Sequence, residues 1–148
     1  MLKLKIKKGY TLLESLIALS MITIIVFCGL SLHLLKVKQK NYNTALSMYL
    51  NCIETTATSL LSNCSYNELA ACIGSEPMYI ADENINPNTL SRNNILTLLK
   101  SSPGSGGKNI KITAVSESGV ITISLQLSYL INGKLEVLSH EIYKGNYN

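Results

Sequence analysis

An acidic side chain stands at the edge of the most apolar stretch of this 148-residue chain. The stretch from Ser15 to Leu35 contains no Asp, Glu, Lys or Arg, and Glu14 comes directly before it. A carboxylate in an apolar medium costs free energy unless a nearby cation compensates its charge. In a helix, Glu14 would share a face with Tyr10, four residues earlier. The residues alone permit an interfacial glutamate whose carboxylate reaches the headgroups.

The other polar residues do not indicate catalysis. His33 lies in the apolar stretch and His140 in a predicted strand, and neither belongs to a Ser-His-Asp, phosphate-loop or paired-histidine motif. The run Asp82-Glu83-Asn84 has oxygen ligands for Ca²⁺, but an acidic turn is usually only solvated. We therefore expect no enzyme activity, no catalytic residue, no metal and no cofactor.

The apolar stretch is long enough to cross a membrane. As a helix its 21 residues would extend about 31 Å at ~1.5 Å per residue, the thickness of a hydrocarbon core. Four lysines precede it, and the other nine basic residues balance nine acids. A body without net charge argues against nucleic-acid binding, and the leading lysines are typical of a cytoplasmic flank.

Three common kinds of N-terminal segment fit this stretch poorly. A secretory cleavage site at Ala18-Leu19-Ser20 would leave most of the apolar run on the mature chain. A lipoprotein signal needs small residues before its cysteine, and Phe27 precedes Cys28. A plain signal anchor gives no reason for Glu14, since a charge costs about 2.5–3.5 kcal/mol at the centre of a membrane helix and less near its edge.

Lys7-Lys8-Gly9, Tyr10-Thr11-Leu12-Leu13-Glu14 and the apolar run together resemble the class III signal of type IV prepilins and pseudopilins. The resemblance is close in the N-terminal segment and extends to the rest in architecture only. It implies that a membrane peptidase cleaves between Gly9 and Tyr10 and methylates the new N-terminus. In an assembled fibre, Glu14 would then meet the ammonium group of Tyr10 in a neighbouring subunit.

The resemblance implies a fibre subunit, most like the minor pilins of type IV pili or the minor pseudopilins of type II secretion and DNA-uptake machines. Such a protein is a single-pass protein of the inner membrane with its C-terminal domain in the periplasm or outside the cell. Its partners would be other pilin subunits, the prepilin peptidase and the inner membrane, and no nucleic acid. The alternative is an anchored domain that crosses the membrane once and binds a ligand or partner without polymerising.

Three parts follow from this interpretation: a cleaved leader at 1–9, a transmembrane and fibre-core helix at 10–35, and an exported domain at 36–148. We expect the helix to continue to about Leu61. An apolar stripe at helical spacing supports this continuation: Leu46, Leu50, Ile53, Ala57, Leu60 and Leu61. A short helical turn near 67–72 and a second helix over 89–100 are also expected.

The C-terminal third predicts three antiparallel strands. Apolar and polar residues alternate from Ile121 to Tyr129, and a shorter alternation begins at Ile110. A tight turn at 117–119 joins these two strands, and Asn132-Gly133 favours a hairpin leading to the strand 135–143. The predicted fold class is α+β, with the long N-terminal helix packed on a three-stranded sheet, as the pilin resemblance also implies.

The cysteines indicate an oxidising compartment. Cys52, Cys64 and Cys72 fall in the predicted exported domain, where disulfides persist, whereas Cys28 in the apolar run is expected to pack. Three cysteines cannot all pair within one chain. We expect a Cys64–Cys72 disulfide, which would close the short loop after the long helix, with Cys52–Cys72 as the alternative. No CxxC or neighbouring histidine pattern favours a metal site.

Overall fold

The computed structural model describes residues 5–72, 76–131 and 133–146, except for the side chains of residues 5–10 and of Cys72. The chain divides into two compact units, Met1–Asn43 and Thr44–Asn148. Helix α1 (Lys5–Asn63) forms the described part of the first unit and begins the second.

The first unit exposes its apolar side chains. Every residue from 11 to 41 is exposed, including Phe27 at 75% and Leu12 at 66%. By length and composition the helix can cross a membrane. The prediction of one long helix with an apolar N-terminal part is therefore confirmed.

The second unit combines the end of α1 with short helices and a sheet. The helices are α2 (Tyr66–Cys72), α3 (Pro87–Arg92) and α4 (Ile95–Leu98), with a 3-10 turn at Asp82–Asn84. The strands are β1 (Met78–Ala81), β2 (Leu99–Lys100), β3 (Asn109–Glu117), β4 (Val120–Ile131) and β5 (Lys134–Gly145). An α+β fold is thus confirmed.

All five strands form one antiparallel sheet in the order β2-β1-β3-β4-β5. The β3–β4 turn has positive φ at Ser118 (51°) and Gly119 (81°), and the β4–β5 turn has φ of 75° at Gly133. These left-handed conformations suit two-residue hairpins, which match the twist of the strands they join. The predicted turn at 117–119 is therefore confirmed. Of the predicted Asn132-Gly133 turn, Gly133 lies between the paired residues Ile131 and Lys134, and Asn132 is outside the described residues.

The predicted number of strands was wrong, because the sheet has five strands and not three. The predicted strands correspond to β3, β4 and β5, whereas β1 and β2 were missed. Strand β1 has four residues directly after Pro77, and β2 has two residues. Neither is long enough to show the alternation from which a strand is predicted.

The single helix predicted over 89–100 is also wrong, because the segment breaks at Asn93-Asn94. Asn94 is the N-cap of α4, and its side chain accepts a hydrogen bond from the backbone N–H of Leu96 at 3.1 Å. An asparagine in this position satisfies a free N–H and starts a new helix. Leu99 and Lys100 then leave the helix and pair with β1.

The core lies between residues 44–63 of α1 and the inner face of the sheet. Tyr49 packs on Tyr129 of β4 with ring centroids 4.3 Å apart. The helix also buries these residues: Cys52, Ile53, Thr56, Ala57, Ser59 and Leu60. The predicted stripe is thus partly correct, since Leu50 and Leu61 remain 42% and 40% exposed. The buried face also includes Cys52, Thr56 and Ser59, which a prediction from large apolar residues does not identify.

Side chains from other elements satisfy the backbone groups where α1 ends and α2 begins. The Lys144 ammonium group donates hydrogen bonds to the carbonyls of Leu61, at 2.7 Å, and of Cys64. Ser65 and Glu68 form a capping box, in which the Ser65 hydroxyl accepts from the Glu68 N–H and the Glu68 carboxylate accepts from the Ser65 N–H. The predicted helical turn at 67–72 is therefore present and begins after Ser65.

Candidate functional site

Glu14 lies on an exposed part of α1 among large apolar side chains. Leu13 is 56% exposed and Ile17 is 48% exposed, so neither is covered by the rest of the described chain. Such a surface is stable only if lipid or other apolar helices cover it. The carboxylate of Glu14 therefore lies at the margin of a segment that needs an apolar environment.

The hydroxyl groups along the same segment bond to the helix itself. Ser15 donates to the carbonyl of Thr11, and Thr23 donates to that of Leu19 at 2.5 Å. Ser20 and Ser31 likewise donate to the carbonyls of Ile17 and Phe27, at 2.7 and 2.9 Å. A hydroxyl that bonds to its own helix can remain in lipid at low cost.

Glu14 differs from these hydroxyls because its carboxylate has no hydrogen bond or ion pair within the described part of the chain. An ionised carboxylate has only acceptor oxygens, so it cannot bond to the backbone carbonyls that serve the serines and threonines. It needs a donor or a cation from outside the described helix surface. This geometry makes Glu14 the candidate functional residue of the first unit.

The predicted processing site lies beside Glu14 in the chain. Gly9 and Tyr10 fall within the bounds of α1, but their side chains are outside the described residues. Cleavage between them would create an ammonium group at Tyr10, one helical turn before Glu14. Cleavage, methylation and the pairing of Tyr10 with Glu14 therefore stay predictions.

The acidic turn of the second unit is paired with lysines. Glu83 lies 2.7 Å from the Lys100 ammonium group, and Asp82 lies 3.4 Å from that of Lys108. The hydrogen bond and charge of Lys100 lower the pKa of Glu83. Two lysines beside these carboxylates oppose Ca²⁺ binding, and the described residues contain no group of three potential metal ligands.

The Glu83–Lys100 pair and Asp82 border an open pocket of about 490 Å³, which the Gly-rich loop at 101–108 closes on one side. Gly106 is required there, since a Cβ at this position would lie 2.7 Å from a carboxylate oxygen of Asp82. The histidines do not contribute to this pocket: His33 lies on α1 and His140 is exposed on β5. The pocket thus brings together the Glu83–Lys100 ion pair, the Asp82 carboxylate and a tight loop.

The cysteines occupy different environments in the two units. Cys28 is exposed on the apolar segment, and Cys52 is a buried free thiol whose pKa is raised by burial. Cys64 is buried, with its sulfur 4.0 Å from the carbonyl oxygen of Ser59. The side chain of Cys72 is outside the described residues, so the Cys64–Cys72 disulfide and its Cys52 alternative stay predictions.

The outer side of β5 carries exposed apolar residues that the sequence reasoning missed. Leu135, Val137 and Tyr143 are 64%, 56% and 63% exposed. They alternate with Leu138 and Ile142, which point to the inner face. The signal was present in the sequence: apolar residues occupy both alternating sets of β5, whereas only one set needs to cover the core.

Comparison with known proteins finds no relative of this chain. No protein-family model, no curated protein and no solved structure matches it.

Proposed function

We propose that this protein is a minor subunit of a type IV pilus or of a related pseudopilus. It is made as a precursor, cleaved between Gly9 and Tyr10 by a prepilin peptidase, methylated at Tyr10 and held in the inner membrane by its apolar helix. The observation that carries the proposal is the Glu14 carboxylate, which lies on an exposed apolar helix and has no partner within the described part of the chain. The resemblance of residues 7–14 to prepilin signals supports it.

The apolar segment suits two environments. Because all residues from 11 to 41 are exposed, the helix has no single covered face that would hold it in one folded domain. Lipid can surround such a helix in the membrane, and the helices of other subunits can surround it in a fibre core. The apolar surface alone therefore permits both states and favours neither.

Glu14 supplies the difference between the two states. In the bilayer its carboxylate either stays ionised at a cost, takes up a proton or reaches towards the headgroups. Cleavage after Gly9 gives the mature chain an ammonium group about 6 Å before Glu14 along the helix axis. A neighbouring helix displaced by about one turn brings its ammonium group level with this carboxylate, and the pair then attracts strongly in a medium of low polarity.

The pairing also selects a register between subunits. Burying either charge alone costs free energy of desolvation, whereas burying the two as a pair costs much less because their attraction offsets the desolvation. A subunit therefore gains most by entering the fibre at the axial position where its Glu14 meets a neighbour's Tyr10. In this proposal the exported domain faces the periplasm or the exterior, because the N-terminal lysines keep their end of the segment in the cytoplasm.

The alternative function, a membrane-anchored binding domain that does not polymerise, explains the apolar helix equally well. It gives no role to a cleavage site and leaves Glu14 as an interfacial residue near the headgroups. The open pocket beside Asp82 and Lys100 favours this alternative, because it provides a polar surface for a small ligand. Processing of the N-terminus separates the two functions.

The experiment is intact-mass analysis of membrane-extracted protein from its own host. We expect a mature chain that starts at Tyr10 and carries one methyl group. Gly9→Val should leave the precursor uncleaved, whereas Gly29→Val is the matched control in the same helix, where a Cβ meets no atom within 4 Å. A wild-type chain that retains Met1 to Gly9 would contradict the prepilin proposal and support the anchored domain.

A further inference from the structure

The open edge of β5 is the longest unpaired backbone surface of the sheet. Strand β5 has 12 residues and lies at the end of the strand order, next to β4 alone. Among the described residues, no strand pairs with its other edge. An edge of this length with exposed apolar side chains can pair with another strand unless charges oppose it.

The hairpin defines which residues of β5 present their backbone to this edge. Ile131 and Lys134 flank a two-residue turn, so they form a hydrogen-bonded pair. The even-numbered residues of β5 therefore direct their N–H and C=O groups to β4. Leu135, Val137 and the other odd-numbered residues direct theirs to the open edge.

We propose that this edge binds β5 of a second copy of the protein, in antiparallel orientation and centred on His140. In this register Val137 faces Tyr143 of the second copy on the outer side of the sheet. Leu138 faces Ile142 on the inner side. About a dozen backbone hydrogen bonds would join the two strands along the odd-numbered residues. The exposed apolar residues of the edge would thereby become cross-strand pairs.

Charge complementarity selects this register from its neighbours. Centring on His140 places Glu136 opposite Lys144 of the second copy, twice in the symmetric pair. Centring on Ser139 instead places Lys134 opposite Lys144, and centring on Glu141 places that glutamate opposite itself. Like charges directly opposite destabilise a strand pair, so both of these registers are disfavoured.

The charges that protect the edge from other strands thus become complementary in this one arrangement. Inward-facing charges on an edge strand normally prevent pairing. Glu136 already accepts a hydrogen bond from the Tyr129 hydroxyl at 3.0 Å, and Lys144 donates to the end of α1. Both side chains are therefore held on the inner side of the sheet, at the positions where the second copy presents the opposite charge.

The pairing involves the second unit alone. Within Thr44–Asn148, Tyr49 lies on Tyr129, which is opposite Glu136, and the end of α1 contacts Lys144. This part of α1 therefore runs in the direction of β5 and packs on the inner face of the sheet, which leaves the open edge of β5 accessible. The pairing does not depend on whether the protein forms fibres.

Cysteine cross-linking of the full-length protein in detergent tests the proposal. In a Cys28→Ser background, His140→Cys should form a disulfide-linked dimer on mild oxidation, because non-hydrogen-bonded antiparallel pairs bring two Cα atoms to ~4.5 Å. Ser139→Cys and Glu141→Cys should link at least about tenfold less, since each would lie more than ~7 Å from its own copy. Equal linking at all three positions, or a maximum at 139 or 141, would overturn the proposal.

A second measurement keeps the proposal falsifiable if the cysteine variants misfold. Val137→Lys should raise the dissociation constant of the dimer at least about tenfold in analytical ultracentrifugation. Val115→Lys is the matched control, because Val115 on β3 is 58% exposed and lies away from the edge. Pairing that survives Val137→Lys would assign the dimer to another surface.

Discussion

Helix α1 exposes its side chains in its N-terminal part and buries one face in its C-terminal part. From 11 to 41 every residue is exposed and the polar hydroxyls turn back onto the helix, whereas between 44 and 63 one face is buried against a sheet. In the second unit, each buried side-chain polar atom that the structure describes has a hydrogen-bond partner. In the first unit, the Glu14 carboxylate has no hydrogen-bond partner among the residues that the structure describes.

The difference shows that one helix serves two purposes. The buried face of 44–63 stabilises the second unit, because covering an apolar side chain contributes about 1.5–3 kcal/mol. The exposed apolar surface of residues 15–35 lies outside that unit and requires an apolar environment from outside the chain. A residue such as Glu14 that is unsatisfied in the first part is therefore evidence about partners, not about the stability of the fold.

The largest contrast should appear between two truncations, one in each region. Leu125→Ala removes a fully buried side chain of β4 and should lower the free energy of unfolding by about 2–5 kcal/mol. Phe27→Ala removes a larger side chain that is 75% exposed and should change domain stability by less than about 0.5 kcal/mol. Chemical denaturation followed by tyrosine fluorescence measures both. Equal losses would show that the apolar segment is part of the folded core.

The cysteines should differ between the same two regions. Non-reducing peptide mapping of thiol-blocked, exported protein should find Cys64 joined to Cys72, with Cys28 blocked as a free thiol. Closing so short a loop should add about 2–3 kcal/mol to the free energy of unfolding. Cys64→Ser should remove that gain, with Cys28→Ser as its control. Recovery of all three domain cysteines as blocked thiols would show that no disulfide forms. A Cys52–Cys72 peptide would show that the alternative pairing is the correct one.

Replacing Lys144 tests how much its hydrogen bonds to the C-terminal end of α1 stabilise the second unit. Lys144→Met removes the ammonium group that bonds to the Leu61 and Cys64 carbonyls and should cost about 1–2 kcal/mol. Lys134→Met is the control, because Lys134 is exposed at the start of the same strand. Thermal unfolding at low protein concentration measures both variants. A smaller loss for Lys144→Met than for Lys134→Met would show that the cap is unimportant.

The smallest expected effect concerns the pH dependence of the second unit. The Ser65 N–H and hydroxyl donors, with a lesser effect of Lys144, lower the pKa of Glu68. Its stabilising contribution is therefore present above the unfolded pKa of about 4.3 and is lost as pH falls through the lower folded pKa. Wild type should unfold at a slightly higher temperature than Glu68→Gln at pH 7, and the difference between the two unfolding temperatures should narrow as the pH falls below about 4.3. A gap that widens on acidification would contradict this sign.

Sequence patterns predicted the elements whose periodicity is long. Strand β4 alternates over many residues and the apolar run is continuous, so both were placed correctly. Strands β1 and β2 were missed because they are short and exist only through pairing with their neighbours. The capping by Lys144 joins residues about 80 positions apart, which no local pattern reveals. At the candidate site, the sequence identified Glu14, and the structure added that its neighbouring hydroxyls are satisfied while the carboxylate is not.

The most direct test of the central proposal is the fate of Glu14→Gln as the only copy of the protein in its host. The substitution preserves size and helix propensity and removes the charge that a neighbour's ammonium group would neutralise. Ser15→Ala is the matched control, because its hydroxyl bonds to the helix itself. Fractionation of sheared fibres and membranes should find mature Glu14→Gln retained in the membrane and absent from fibres, with Ser15→Ala in both. Normal fibre number with normal incorporation of Glu14→Gln would show that the carboxylate has no part in assembly.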